Sequence, residues 1–331
     1  MRAREIVALF CNEEDEVRND MITKRRYYIP SSTGEDMVHV VEWEPDGEVK
    51  GILQIAHGVR EHMGRYERFA LYMAEKGFLV IGNDHLGHGE TAAPYNKFGY
   101  FAPKDGSGYA VRDMRRVFLR AKKKYPDVPY ILLAHSMGSF FARRYAANYG
   151  KELDGLILLG TGGKPRWMLR FGCFLLNVIE SVKDEYSRSW IMEQVCFALY
   201  NCRISHRRTP VDWLSRSPKE VDRFQNDPLC QFTLTLNGYR SLFESIHYGQ
   251  KWKNIRRIPK RLPILIMSGA EDPVGDYGRT VRTVAKWYKL AGIRDVTCRI
   301  YRDARHELLN EIEYEKAQQA IWKWIRERYY K

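Results

Sequence analysis

Short apolar runs alternate with amphipathic stretches through the first half of this chain, and that rhythm limits its fold more than any other feature. "MVHVVEWEP" (37–45), "GILQIAHG" (51–58), "FLVIGND" (78–84), "YILLAHS" (130–136) and "LDGLILLGT" (153–161) read as strands. "RYERFALYMAEKG" (65–77), "VRDMRRVFLRAKKKYP" (111–126) and "SFFARRYAANYG" (139–150) read as helices stopped by Gly77, Pro126 and Gly150. Nearly continuous apolar strands between helices imply a mostly parallel sheet covered on both faces. From residue 163 to 261 the rhythm breaks, and bulky helical stretches such as "RFGCFLLNVIESV" (170–182) and "WIMEQVCFALYNC" (190–202) take over. It resumes with strands at 262–269 and 296–301 and helices at 278–291 and 310–329. The expected architecture is one α/β core, residues 27–162 and 262–331, with a helical cap inserted at 163–261. Residues 1–26 are expected to form a poorly ordered lead-in.

A chain of 331 residues with 44% apolar content can bury such a core, and no repeat or low-complexity tract argues otherwise. The formal net charge is +13, and most of the excess falls between Gly163 and Arg261. A solvated basic face accounts for this, with peripheral contact to a lipid surface as the alternative. No recognised nucleic-acid motif accompanies the charge. The six cysteines form no C-x-x-C pair and no metal-ligand spacing, and read as reduced thiols of a cytoplasmic protein. The opening "MRAREIVALFCNEEDE" mimics a short secretion signal, but its apolar stretch is too short and an acidic run follows at once. Met21 is a candidate alternative start. No stretch approaches the roughly 20 apolar residues that span a membrane.

Ligands of such sheets bind beyond the carboxyl ends of the strands, and four strand ends carry reactive groups. "AHSMGSF" (134–140) lies where a strand gives way to a helix, the setting in which a sharp turn exposes a nucleophilic serine, Ser136. Small residues are needed two before and two after it; Gly138 meets this need, and Ala134 adds one methyl to the usual glycine. "SGAEDPVGD" after the strand at 262–268 offers Glu271, Asp272 and Asp276 as acids, and His306 follows the last strand as the base. Serine needs an imidazole to take its proton, and the imidazole needs a carboxylate to fix its tautomer. An oxyanion hole needs two backbone N–H groups, assigned by position to Met137 and Val59. His57, His62 and the "NDHLGHGET" residues Asp84, His85 and His88 read as loop-ordering groups, and His135 as packing beneath the nucleophile.

"HGVREHMGRYERFA", "NDHLGHGETAAP", "GYFAPKDG", "AHSMGS", "SGAEDPVG" and "ARHELLNE" occur in the order seen in serine α/β-hydrolases. The chain resembles the monoglyceride lipase and lysophospholipase family over roughly residues 27–162 and 260–329. The resemblance implies an α/β-hydrolase fold with Ser136, Asp272 and His306 as a catalytic triad and Val59 and Met137 as oxyanion donors. It selects Asp272 because the family's acid directly precedes a Pro-Val pair. It places Glu61 and Arg65 near the substrate head group. Leu309 stands where such lipases can carry a further polar residue, which leaves the alcohol open. The implied activity is hydrolysis of a lipid-like monoester, a monoacylglycerol or lysophospholipid, with no cofactor or metal; the oligomeric state is not specified. Thioesterase, amidase and aminopeptidase chemistry would use the same triad. A binding protein that has lost catalysis fits less well, because all three members are present.

Overall fold

The computed structural model describes residues 15–19 and 21–330. Its nine strands form one sheet in the order β1-β2-β3-β5-β4-β6-β7-β8-β9. They are β1 (Asp15–Asn19), β2 (Ile22–Pro30), β3 (Met37–Pro45), β4 (Gly51–Ala56), β5 (Phe78–Asn83), β6 (Tyr130–His135), β7 (Gly155–Leu159), β8 (Ile264–Gly269) and β9 (Val296–Tyr301). The first four in spatial order pair antiparallel and every pairing from β5 onward is parallel. This is the α/β-hydrolase fold.

Period-two alternation sends each strand's side chains to two separate cores. On β6, Ile131 and Leu133 join the cluster built on the helices Glu67–Ala74 and Tyr314–Tyr329, with Phe69, Met73, Ile321 and Trp324. Tyr130, Leu132 and Ala134 face the other cluster, filled by the helices Gly106–Lys124, Met137–Tyr149 and Arg279–Leu290. Each fully buried side chain such as Phe141 or Ile321 contributes roughly 1.5–3 kcal/mol by leaving water. That two-sided cover is why the strands read as apolar runs.

The sheet begins before the expected core boundary at residue 27. Residues 22–30 pair with 45–37 without a break, from Ile22 opposite Pro45 to Pro30 opposite Met37, and β1 adds to them. Polarity hid this strand: Ile22, Tyr27 and Ile29 are buried, but Arg25 sits between them and pairs with Glu42 and Glu44 of β3. Residues 1–14, the rest of the expected lead-in, lie outside the described residues.

Between β7 and β8 the described chain forms helices, among them Arg166–Glu180, Trp190–Phe197, Pro218–Asn226 and Leu236–Gln250. Its two ends meet on the core. Buried Arg143 donates from Nη1 to the Gly162 carbonyl (2.8 Å) and from Nη2 to the Gly249 carbonyl (2.9 Å). The Gln250 amide accepts from Lys164 N–H (2.6 Å) and donates to the Lys164 carbonyl (2.9 Å). The Arg143 cation thereby exchanges water for carbonyl dipoles, the compensation a buried charge requires. No helix among the described residues is long and apolar enough to cross a membrane.

Candidate active site

β6 ends at His135, and the next residue reverses the chain. Ser136 has φ 50° and ψ −119°, a conformation costly for a residue with a Cβ. The helix Met137–Tyr149 starts immediately after it. The turn closes tightly because Gly138 has no side chain: a Cβ there would stand 2.3 Å from the Ala56 carbonyl oxygen. Ala134, fully buried and paired with Ala56 and Leu158 on the neighbouring strands, shows that the usual first glycine can be replaced by alanine.

The loop after β8 holds Asp272 fully buried, where its Oδ1 stands 2.9 Å from His306 Nδ1. Asp272 Oδ1 also accepts from Val274 N–H, and Oδ2 accepts from the Ser268 hydroxyl, each at 2.9 Å. Burial by itself would raise the Asp272 carboxyl, but the His306 imidazole and these donors pull it below its usual value. Glu271 is half exposed and faces Arg305, and Asp276 pairs with Arg279. Of the three acids offered by the sequence, Asp272 is the one brought to His306. The Trp213 ring packs on His306 at 5.0 Å between centroids, and His306 Nε2 is buried without a hydrogen-bond partner among the described residues. Ser136, His306 and Val59 line one cavity of about 510 Å³. The Met137 amide opens the helix behind the serine, where the positive end of the helix dipole favours negative charge.

The loop after β4 approaches the serine because residue 58 is glycine; a Cβ there would lie 3.0 Å from Ser136 Cβ and 2.5 Å from Glu61 Oε2. Glu61 lines the cavity but is almost fully committed. Its Oε2 accepts from Gly58 N–H (2.6 Å) and the Tyr66 hydroxyl (2.9 Å) and lies 2.8 Å from His135 Nδ1, while Oε1 accepts from Arg65 (2.8 Å). Arg65, expected near the substrate head group, is not among the residues lining the cavity, although its guanidinium lies over the ring of Phe224, which is. Its guanidinium binds Glu307 through both terminal nitrogens, at 2.8 and 2.9 Å. Burial would raise the Glu61 carboxyl, yet the His135 and Arg65 charges hold it well below the ordinary range. Burial likewise disfavours the His135 cation, but Glu61 outweighs it and the imidazole is raised. Glu61, Arg65, His135 and Glu307 thus form one buried network beside Ser136 and His306; the His135 and His306 ring centroids are 4.7 Å apart.

Sequence reasoning read His135 as packing alone and passed over Glu307 and Trp213. Two of these adjoin the reactive residues in the chain, and adjacency to Ser136 and His306 was the available signal. The histidine-rich loops order the backbone: His57 Nε2 accepts from His85 N–H, and Asp84 accepts from Met63 and Glu90 N–H and meets His39 Nδ1. Among the described residues, His62, Asp227 and Cys230 form the group that brings metal-ligand atoms together. His62 and Asp227 already bond each other at 2.7 Å, and burial raises the Cys230 thiol, so the group fits a link between loop and insertion better than an ion site.

A serine on a strained turn, a buried histidine–aspartate pair and a shared cavity thus meet at the strand ends of an α/β-hydrolase fold. The chain belongs to the Hydrolase_4 family, serine aminopeptidase S33, which it matches over residues 47–313. It is 28% identical over 277 residues to human monoglyceride lipase, spanning 82% of this chain and 80% of that protein. It is 27% identical over 288 residues to the monoacylglycerol lipase of Mycolicibacterium smegmatis, spanning 86% and 90%. A thermostable carboxyl esterase from Bacillus coagulans, solved with glycerol, superposes with a TM-score of 0.86 at 30% identity, over 92% of this chain and 98% of that one. The protein is a carboxylic-ester hydrolase.

Proposed function

We propose that this enzyme hydrolyses lipid-like monoesters, of the monoacylglycerol or lysophospholipid class, through an acyl-enzyme on Ser136. His306 Nε2 takes the Ser136 proton as Oγ attacks the ester carbonyl carbon, and the oxyanion rests on the N–H groups of Val59 and Met137. Asp272 keeps the Nδ1 proton on His306 and stabilises the imidazolium. His306 then protonates the departing alcohol, and water repeats the sequence on the acyl-enzyme. Glu61 and Arg65 act by position: they hold the loop that carries Val59 and fix His135 beneath the serine.

The observation that carries the reading is the cavity: Ser136 and His306 share it with Val59, Phe197, Trp213 and Leu214, an apolar wall supplied largely by the insertion acting as a cap. Its carboxylates argue against an aminopeptidase, because Glu61 and Glu307 are both bonded to Arg65, Glu61 also meets His135, and Glu193 takes the Tyr239 hydroxyl beside Arg60. No unpartnered carboxylate among the described lining residues is left for a substrate ammonium. Lysophospholipid chemistry is also within the family's range, since a probable lysophospholipase L2 of Haemophilus influenzae is 22% identical over 277 residues.

A series of monoacylglycerols, lysophospholipids and p-nitrophenyl esters, run beside an amide and a thioester, tests this. Each methylene buried in the cavity should add about 0.8 kcal/mol, so kcat/KM should rise roughly three- to fourfold per carbon until the cavity is full. Fastest turnover of acetyl esters, or of the amide, would overturn the lipid reading.

A further inference from the structure

The carboxylates on the wall of the catalytic cavity all have partners, but its cations do not. Arg60 donates from Nε to the Cys230 carbonyl (3.1 Å), stands 3.6 Å from Glu193 and lies over the Phe224 ring. Arg208 binds Asp222 at 2.8 Å. His135 is held by Glu61. Arg207 also lines the cavity, yet it is exposed and has no hydrogen-bond, ion-pair or ring partner among the described residues.

The loop that carries Arg207 is anchored from within. Buried Asp212 accepts from Arg208 N–H (2.5 Å), Thr209 N–H (3.2 Å) and the Thr209 hydroxyl (2.6 Å). Asn201 spans the same turn, donating to the Thr209 carbonyl (3.0 Å) and accepting from Trp213 N–H (2.9 Å). The backbone beside Arg207 is thus fixed while its guanidinium is left unspent. The same wall separates the two ends of an ester. Phe197, Trp213 and Leu214 offer apolar surface to an acyl chain, whereas burying an anion is costly and keeps a charged end where water reaches it. Arg207 stands at that solvent-facing side, and a guanidinium matches the oxygens of a phosphate two at a time.

We propose that Arg207 is a specificity-determining residue that receives an anionic phosphate on the alcohol side of the ester, so that the enzyme favours monoesters of net negative charge over neutral ones. The proposal rests on the lipid-ester reading and selects within it.

The test compares kcat/KM for decanoyl esters of glycerol 3-phosphate, glycerophosphocholine and glycerol, all below their micellar concentrations, in the full chain and in Arg207→Gln, Arg207→Lys and Arg207→Glu. The wild type should prefer the phosphate monoester to the neutral glycerol ester by roughly fivefold, the upper end for an exposed ion pair. Arg207→Gln should abolish that ratio through KM, Arg207→Lys should restore part of it, and Arg207→Glu should invert it. Added salt should shrink it in the wild type. Equal rates on the charged and neutral esters, or a preference that survives Arg207→Gln, overturns the proposal. So does an equal loss on all three esters in Arg207→Gln, which would make Arg207 merely structural. If no lipid ester turned over, the proposed function would fall. Inhibition of p-nitrophenyl acetate hydrolysis by glycerol 3-phosphate would then decide the role of Arg207: weaker inhibition of Arg207→Gln than of the wild type supports it, and equal inhibition overturns it.

Discussion

Two histidine–carboxylate pairs lie side by side in this site, and they are built differently. His306 meets Asp272, whose remaining donors are an uncharged hydroxyl and a backbone N–H. His135 meets Glu61, which Arg65 also holds, with Glu307 balancing Arg65. In the first pair His306 lines the cavity that contains Ser136, and its Nε2 has no hydrogen-bond partner among the described residues. In the second, both carboxylate oxygens are bonded within a buried network. The same residue types are therefore expected to serve proton transfer in one place and rigidity in the other, according to how many further charges surround the carboxylate.

Removing the first pair is expected to have the largest effect. Ser136→Ala and His306→Ala should each lower kcat by about 10⁴- to 10⁶-fold with the fold intact by circular dichroism, and Asp272→Asn by about 10⁴-fold. Glu271→Gln, on the exposed neighbour, should stay close to wild type. A fluorophosphonate should label Ser136 and be blocked in Ser136→Ala. Near-wild-type activity in Asp272→Asn would show that the acid had been misassigned.

Breaking the second pair should reverse the balance between rate and stability. Glu61→Gln leaves His135 and Arg65 without part of their countercharge, and loss of one partner of a buried pair costs about 3–5 kcal/mol. Urea denaturation should report that loss, while kcat falls by no more than about a hundredfold through misplaced geometry. A 10⁴-fold rate loss with unchanged stability would mean that Glu61 takes part in the chemistry.

The smallest effects concern pH. The His135 imidazole is raised in the folded protein, so its contribution to stability is complete below about pH 6.5, the unfolded value, and is lost as pH rises through the folded value. Asp272 is lowered, so its contribution is complete above about pH 3.9 and is lost as pH falls through the folded value. Unfolding free energy measured against pH should therefore lose slope on its alkaline limb in His135→Gln and on its acid limb in Asp272→Asn. Identical pH profiles for the two variants would contradict the distinction between the pairs.

Much of the sheet was legible in the sequence because burial on both faces leaves apolar runs: those at 51–58 and 130–136 contain β4 and β6, buried at every position. β2 was not, because a strand with Arg25 between buried residues lacks that pattern and owes its place to pairing with β3. Chain order and strand ends pointed to His306 and to three acids, and the family resemblance selected Asp272, the one that meets His306. The role of Arg65 was not legible, since the direction of a guanidinium depends on Glu307, 242 residues away in the chain. The exposed face of Arg166–Glu180 was equally hidden: its apolar residues read as helix core, and only the packed structure separates the buried Leu169 and Leu176 from the exposed Trp167 and Phe174.

The bonds from Arg143 and Gln250 to the two ends of the insertion also carry a mechanical consequence. Residues 162–164 and 249–250 are tied to each other and to the helix that begins beside Ser136, so the insertion has a clamped base. A clamped base does not swing as a hinge. The cavity is bordered by residues further along the insertion, among them Phe197, Asn201 and Val211, and not by this root. The helix that carries the Met137 amide is thereby joined through Arg143 to both ends of the insertion at once.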